Sequence, residues 1–140
     1  MKEYDVTFAA AVEALNGARS CRVLRLADEA SAVLLLSMEG ECPPLLLGCP
    51  TRLLSDFSSG VTMAEREALG LPPDGGEADV EVFCRMGIPG NDPLAAGLDC
   101  SRLVLASPST GRALEASRAE GGLIPLRRAA SSSARSRSDD

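Results

Sequence analysis

Two short apolar runs fenced by proline and glycine restrict this chain more than any other feature. They are Ala32 to Met38 and Leu45 to Cys49, separated by EGECPP. Each has the length of a buried strand and ends in residues that turn the chain. Pro43, Pro44 and Pro50 would break any helix drawn through here, because proline lacks an amide hydrogen and clashes with the preceding turn. The pair is expected to fold as a hairpin.

Further strands are expected around it. Residues 79–86, DVEVFCRM, alternate with period two. Val80, Val82, Cys84 and Met86 share one face, and Glu81, Phe83 and Arg85 share the other, which should be mostly polar. RLVLAS at 102–107 and GGLIPL near the end are also strand candidates, and KEYDVTF could form a short edge strand. AAAVEALNGARS has a helical look up to Gly17, and ALEASRAE is helix-compatible. The clearest helix lies around residues 63–69. Thr62 and Glu65 form a capping-box pattern, Gly70 suits a left-handed cap, and Pro72 and Pro73 prevent continuation. The expected fold class is mainly all-β, with turns spaced as in a sandwich or barrel. From Arg127 onward the chain has no hydrophobic anchor, so residues 127–140 are expected to be a disordered Ser/Arg-rich tail.

Composition narrows the function. The 140 residues suit one domain. With no histidine, every His-based triad, base and metal ligand is excluded. The only lysine is Lys2, a poor place for a nucleophile. A net charge of −6 argues against direct nucleic-acid binding, since phosphates need a basic face. Residues 1–126 hold 10 basic and 18 acidic side chains, a net −8, so the folded part is the more acidic. Such a body stays soluble and attracts basic partners.

The five cysteines are odd in number and lack CxxC spacing. No signal-peptide pattern opens the chain, and no apolar run approaches the ~18 residues of a membrane span. They read as reduced thiols in a cytoplasmic protein. No GxSxG, P-loop, GxGxxG or HExxH motif is present. Acid pairs such as Glu39 with Glu41 read as solvated surface charge. No cofactor or metal is expected. A binding module is favoured over an enzyme. Two alternatives stay open: an enzyme with a Cys nucleophile at Cys84 or Cys100, and an acidic interaction domain for another protein.

Taken in order, the segments from Ala32 to Leu126 resemble the FliW family of flagellar assembly factors. LLLSMEGE and PLLLGCP match a strand, acidic turn and Pro-closed strand, and TMAEREALGL at 62–71 matches the family's short helix. DVEVFCRMGIPGNDP places Ile88 and Pro89 where that family has its Ile-Pro turn. LVLASPSTGRALE, with Pro108 and Thr110, and IPLR at 124–127 continue the series. The family's Pro-Glu-Gly-x-Pro-Gly-Phe-Glu signature is reduced here to EALNGA.

The resemblance implies a compact antiparallel β-barrel over residues 1–126. It implies a cytoplasmic, monomeric, non-catalytic protein that binds flagellin and the RNA-binding regulator CsrA, relieving repression of flagellin translation. For a basic partner, the densest acid cluster is the expected contact: Asp74, Glu77, Asp79 and Glu81.

Overall fold

In the computed structural model, residues 3–25, 31–54, 57–58, 60–73, 79–92, 95–118 and 122–125 are described. Among them are eight strands: β1 (Glu3–Val12), β2 (Ala18–Arg25), β3 (Ala32–Ser37), β4 (Leu45–Gly48), β5 (Glu81–Gly87), β6 (Gly97–Ser107), β7 (Arg112–Ser117) and β8 (Leu123–Pro125). The helices among them are α1 (Pro50–Leu53) and α2 (Met63–Ala68). The strand order is β5-β4-β3-β2-β1-β7-β6, and a β5–β6 pairing closes the ring. The closed barrel thus has seven strands, with β8 added outside the ring along β6. Neighbours are antiparallel except β1 and β7, which meet in parallel at Thr7↔Arg112 and Phe8↔Ala113.

Alternation divides the apolar residues into two clusters. The first includes residues from all seven ring strands, among them Val6, Phe8, Cys21, Val23, Val33, Leu35, Leu47, Phe83, Val104 and Ala113. It is the barrel interior. The second joins Val82 and Cys84 of β5, Leu98, Cys100, Leu103 and Leu105 of β6, and Ala116 of β7 to Leu54, Leu69 and Leu71. The segment bearing α1 and α2 therefore covers the outer face of β5, β6 and β7. Strands buried on both faces lose the simple in–out pattern. The face of β5 expected to be polar consequently carries Phe83 at 2% exposure, facing the barrel core.

A bulge in β6 makes the outer cluster continuous. The β5–β6 register runs from Glu81↔Ala106 to Cys84↔Leu103, then resumes at Arg85↔Asp99. Cys100, Ser101 and Arg102 are the extra residues. An odd insertion reverses side-chain parity. Leu98 and Cys100 before it, and Leu103 and Leu105 after it, therefore reach the same cluster.

The expected β3–β4 hairpin forms, with Val33↔Leu47 and Leu35↔Leu45 in register. The expected helix is also present and is capped at both ends. The Thr62 side chain accepts the Glu65 amide at 3.1 Å, and Glu65 accepts the Thr62 amide at 2.9 Å. At the far end Gly70 has φ +77°. Its amide donates to Glu67 O and that of Leu71 to Arg66 O, so a left-handed glycine satisfies the last carbonyls.

Other local expectations give way to pairing. The Ala-rich stretch with a helical look continues β1 as far as Val12, followed only by a 3-10 turn at Glu13–Leu15. β1 is no edge strand, because β2 and β7 flank it. The helix-compatible ALEAS is β7, held between β1 and β6. Pro50, read as a helix breaker, begins α1; at a helix's first position its missing amide costs nothing. The tail expected at 127–140 lies outside the described residues.

Candidate partner-binding site

The four acidic residues expected to meet a basic partner have distinct surroundings. Asp74 and Glu77 lie outside the described residues. Asp79 and Glu81 lie at the entry to β5, and arginines of the same chain engage both carboxylates.

Asp79 receives a two-pronged contact from Arg66, with Nη1 to Oδ1 at 3.1 Å and Nη2 to Oδ2 at 3.0 Å. Arg66 is only 4% exposed, and its Nε donates to Pro72 O at 2.6 Å. Parallel donors matched to a carboxylate fix geometry as well as charge. The guanidinium thus ties the exit of α2 to the start of β5. It holds the Asp79 carboxyl below its ordinary range.

Glu81 sits deeper than a solvated acid on a polar face. It accepts the Tyr4 hydroxyl and the Arg25 guanidinium, which joins the starts of β1 and β5 to the end of β2. The Arg25 and Glu81 side chains are 13% and 27% exposed. Burial and the neighbouring Glu81 carboxylate push the Tyr4 hydroxyl far above the usual phenol range. Tyr4 and Arg25 lie 77 and 56 residues from Glu81. No local pattern marks that cluster.

Arg118, just beyond β7, grips Glu65 of α2. Thr110, just before β7, donates its hydroxyl to Leu69 O at 2.6 Å. The two ends of α2 are therefore fastened to the two flanks of one strand. Glu39, expected as a solvated acid, accepts the backbone amides of Arg19 and Ser20. These amides hold its carboxyl below the ordinary range.

Exposed apolar side chains are few among the described residues. Met63 at 68%, Ile88 at 55% and Met38 at 50% are the most open. Cys84 and Cys100 are both buried. Burial pushes both thiols up, the opposite of an activated nucleophile. No group of three or more metal-ligating Cys, Asp, Glu or His side chains occurs among the described residues. None of their helices is long and apolar enough to cross a membrane.

No protein-family model matches this chain, and no curated protein matches it. Its fold is similar to a solved structure, the crystal structure of the flagellar assembly factor FliW. The TM-score is 0.71, the identity is 14%, and the alignment covers 87% of this chain and 84% of that one. The barrel and its helical cover are thus a FliW-like fold.

Proposed function

We propose that this chain is a flagellar assembly factor of the FliW kind. In this reading it is a cytoplasmic monomer, without catalysis or cofactor, that binds flagellin. It also binds a CsrA-type regulator and relieves repression of flagellin translation. The observation that carries the reading is the fold match, which extends over most of both chains. The ordered motif series from Ala32 to Leu126 supports it independently of backbone shape.

The charge balance fits. A regulator that binds RNA needs basic residues, and an acidic protein is steered toward such a surface while RNA is repelled. Within the proposed acidic contact, Asp79 and Glu81 already hold arginines, so Asp74 and Glu77 supply the charge offered to the partner.

Co-purification of the full chain with flagellin and the CsrA-type regulator from the native cell tests the function. Recovery of both is expected, and recovery of neither overturns it. Reversing Asp74 and Glu77 to lysine should slow association with the regulator at low salt. Unchanged kinetics would remove the acidic contact while leaving the function standing.

A further inference from the structure

Cys84 and Cys100 each adjoin one paired position of the two strands that close the barrel. The β5–β6 register pairs Met86 with Leu98 and Arg85 with Asp99. Cys84 and Cys100 are the next residues on either strand; there the bulge begins, and the register partner of Cys84 becomes Leu103. The Cys100 amide donates to Gly122 O at 2.8 Å, so it is turned toward β8. Cys100 thus stands in the bulge, beside the strand that carries Cys84. Paired antiparallel residues have Cα atoms about 4.5–5.5 Å apart, and a disulfide bridges about 4.4–6.8 Å. Both side chains enter the outer cluster under the helical segment. The remaining cysteines, Cys21, Cys42 and Cys49, are free as well, but no two of them flank a common paired position.

We infer that Cys84 and Cys100 form an oxidisable dithiol that a small hydroperoxide converts to a cross-strand disulfide, stapling β5 to β6 where the barrel closes. Cys100, at 5% exposure against 0% for Cys84, meets the oxidant first. Its thiolate attacks a peroxide oxygen, the O–O bond breaks, and hydrogen peroxide leaves hydroxide, giving the Cys100 sulfenic acid. The Cys84 sulfur then attacks the sulfenic sulfur, the S–O bond breaks and the disulfide forms. The Cys84 proton and the one released from Cys100 end on the departing oxygens. Two thiols and one hydrogen peroxide thus become one disulfide and two waters, two electrons passing from sulfur to oxygen. The raised thiols make the reaction slow, which suits a response to sustained oxidant rather than a catalytic cycle.

The test uses the full-length reduced protein treated with hydrogen peroxide under native conditions. Free thiols are then alkylated after unfolding, and the digest is mapped by mass spectrometry. A peptide pair joined through Cys84 and Cys100 is expected, with Cys21, Cys42 and Cys49 still alkylated. The oxidised protein should melt higher than the reduced one, and dithiothreitol should abolish the difference. In the Cys84→Ser variant, dimedone should trap a sulfenic acid at Cys100. Disulfides joining other cysteines, or Cys84 and Cys100 still fully alkylated after prolonged exposure to peroxide, would overturn the inference. In the variant, a Cys100 that dimedone never labels would overturn the proposed order of attack.

Discussion

Arg118 holds Glu65 by both ends of its guanidinium, with Nη1 and Nη2 each 2.8 Å from a different carboxylate oxygen. One of those oxygens also accepts the Thr62 amide. The side chains are 22% and 17% exposed, so water screens this pair less than an ordinary surface ion pair. One contact thus joins the helix cap to the barrel. Replacing Arg118 by Ala should cost about 1–3 kcal/mol of unfolding free energy. Glu65→Ala should cost a similar amount because it also removes half of the capping box. Urea unfolding of both variants and their double mutant checks this: the double should lose clearly less than the two single losses combined.

The same pair sets an acid limit on stability. Arg118 lowers the Glu65 carboxyl below its ordinary value, as Arg66 does for Asp79. A carboxyl whose pKa is lower folded than unfolded binds fewer protons in the native state. Its stabilisation is therefore complete above the ordinary carboxylate range and is lost as pH falls through the lowered folded value. Unfolding free energy measured against pH should decline on the acid side, and Glu65→Gln should flatten that decline. An acid limb unchanged by Glu65→Gln would contradict the assignment.

Tyr4 sets a limit at the other end. It is the only tyrosine, and the chain has no tryptophan, so phenolate absorbance reports on it alone. Its folded pKa is raised from an ordinary 10.0. The native state then keeps a proton that the unfolded state releases. Stability is complete below the ordinary value and is lost as pH rises beyond it. Alkaline titration should show no phenolate until the barrel unfolds, then a single cooperative rise. Tyr4→Phe should remove this link and cost about 1 kcal/mol near neutrality.

Gly97 of β6 lies against β8 with no room for a side chain. A Cβ there would stand 2.5 Å from Ile124 O and 3.0 Å from the Pro125 Cα, backbone atoms that cannot swing aside. Gly97→Ala should displace β8 while the seven-strand ring stays closed. Amide exchange should accelerate at Ile124 and at Cys100, whose amide depends on Gly122 O. Far-ultraviolet dichroism should change little.

The features legible in the sequence are those with local causes. Thr62, Glu65 and Gly70 act within a few residues of one another, so the bounds of α2 follow from capping chemistry. Pro43, Pro44 and Pro50 mark out the β3–β4 hairpin in the same way. Ala9, Ala10 and Ala11 misdirect because alanine's helix preference is small beside the pairing of β1 with β2 and β7. Phe83 was expected on a polar face because its neighbours Glu81 and Arg85 are charged, and no local pattern announces a strand buried on both sides. The Glu81 cluster was hidden for a related reason: its partners come from β1 and β2, and closure of the ring brings them together. The shared cluster of Cys84 and Cys100 likewise depends on a bulge that ordinary alternation does not reveal.

The Arg66 clamp has a consequence for how this molecule can diversify. It secures Pro72 and Asp79 at once and is itself buried. Two attachments therefore depend on a single codon, and a lineage can drift at exposed positions of the barrel more freely than at this one.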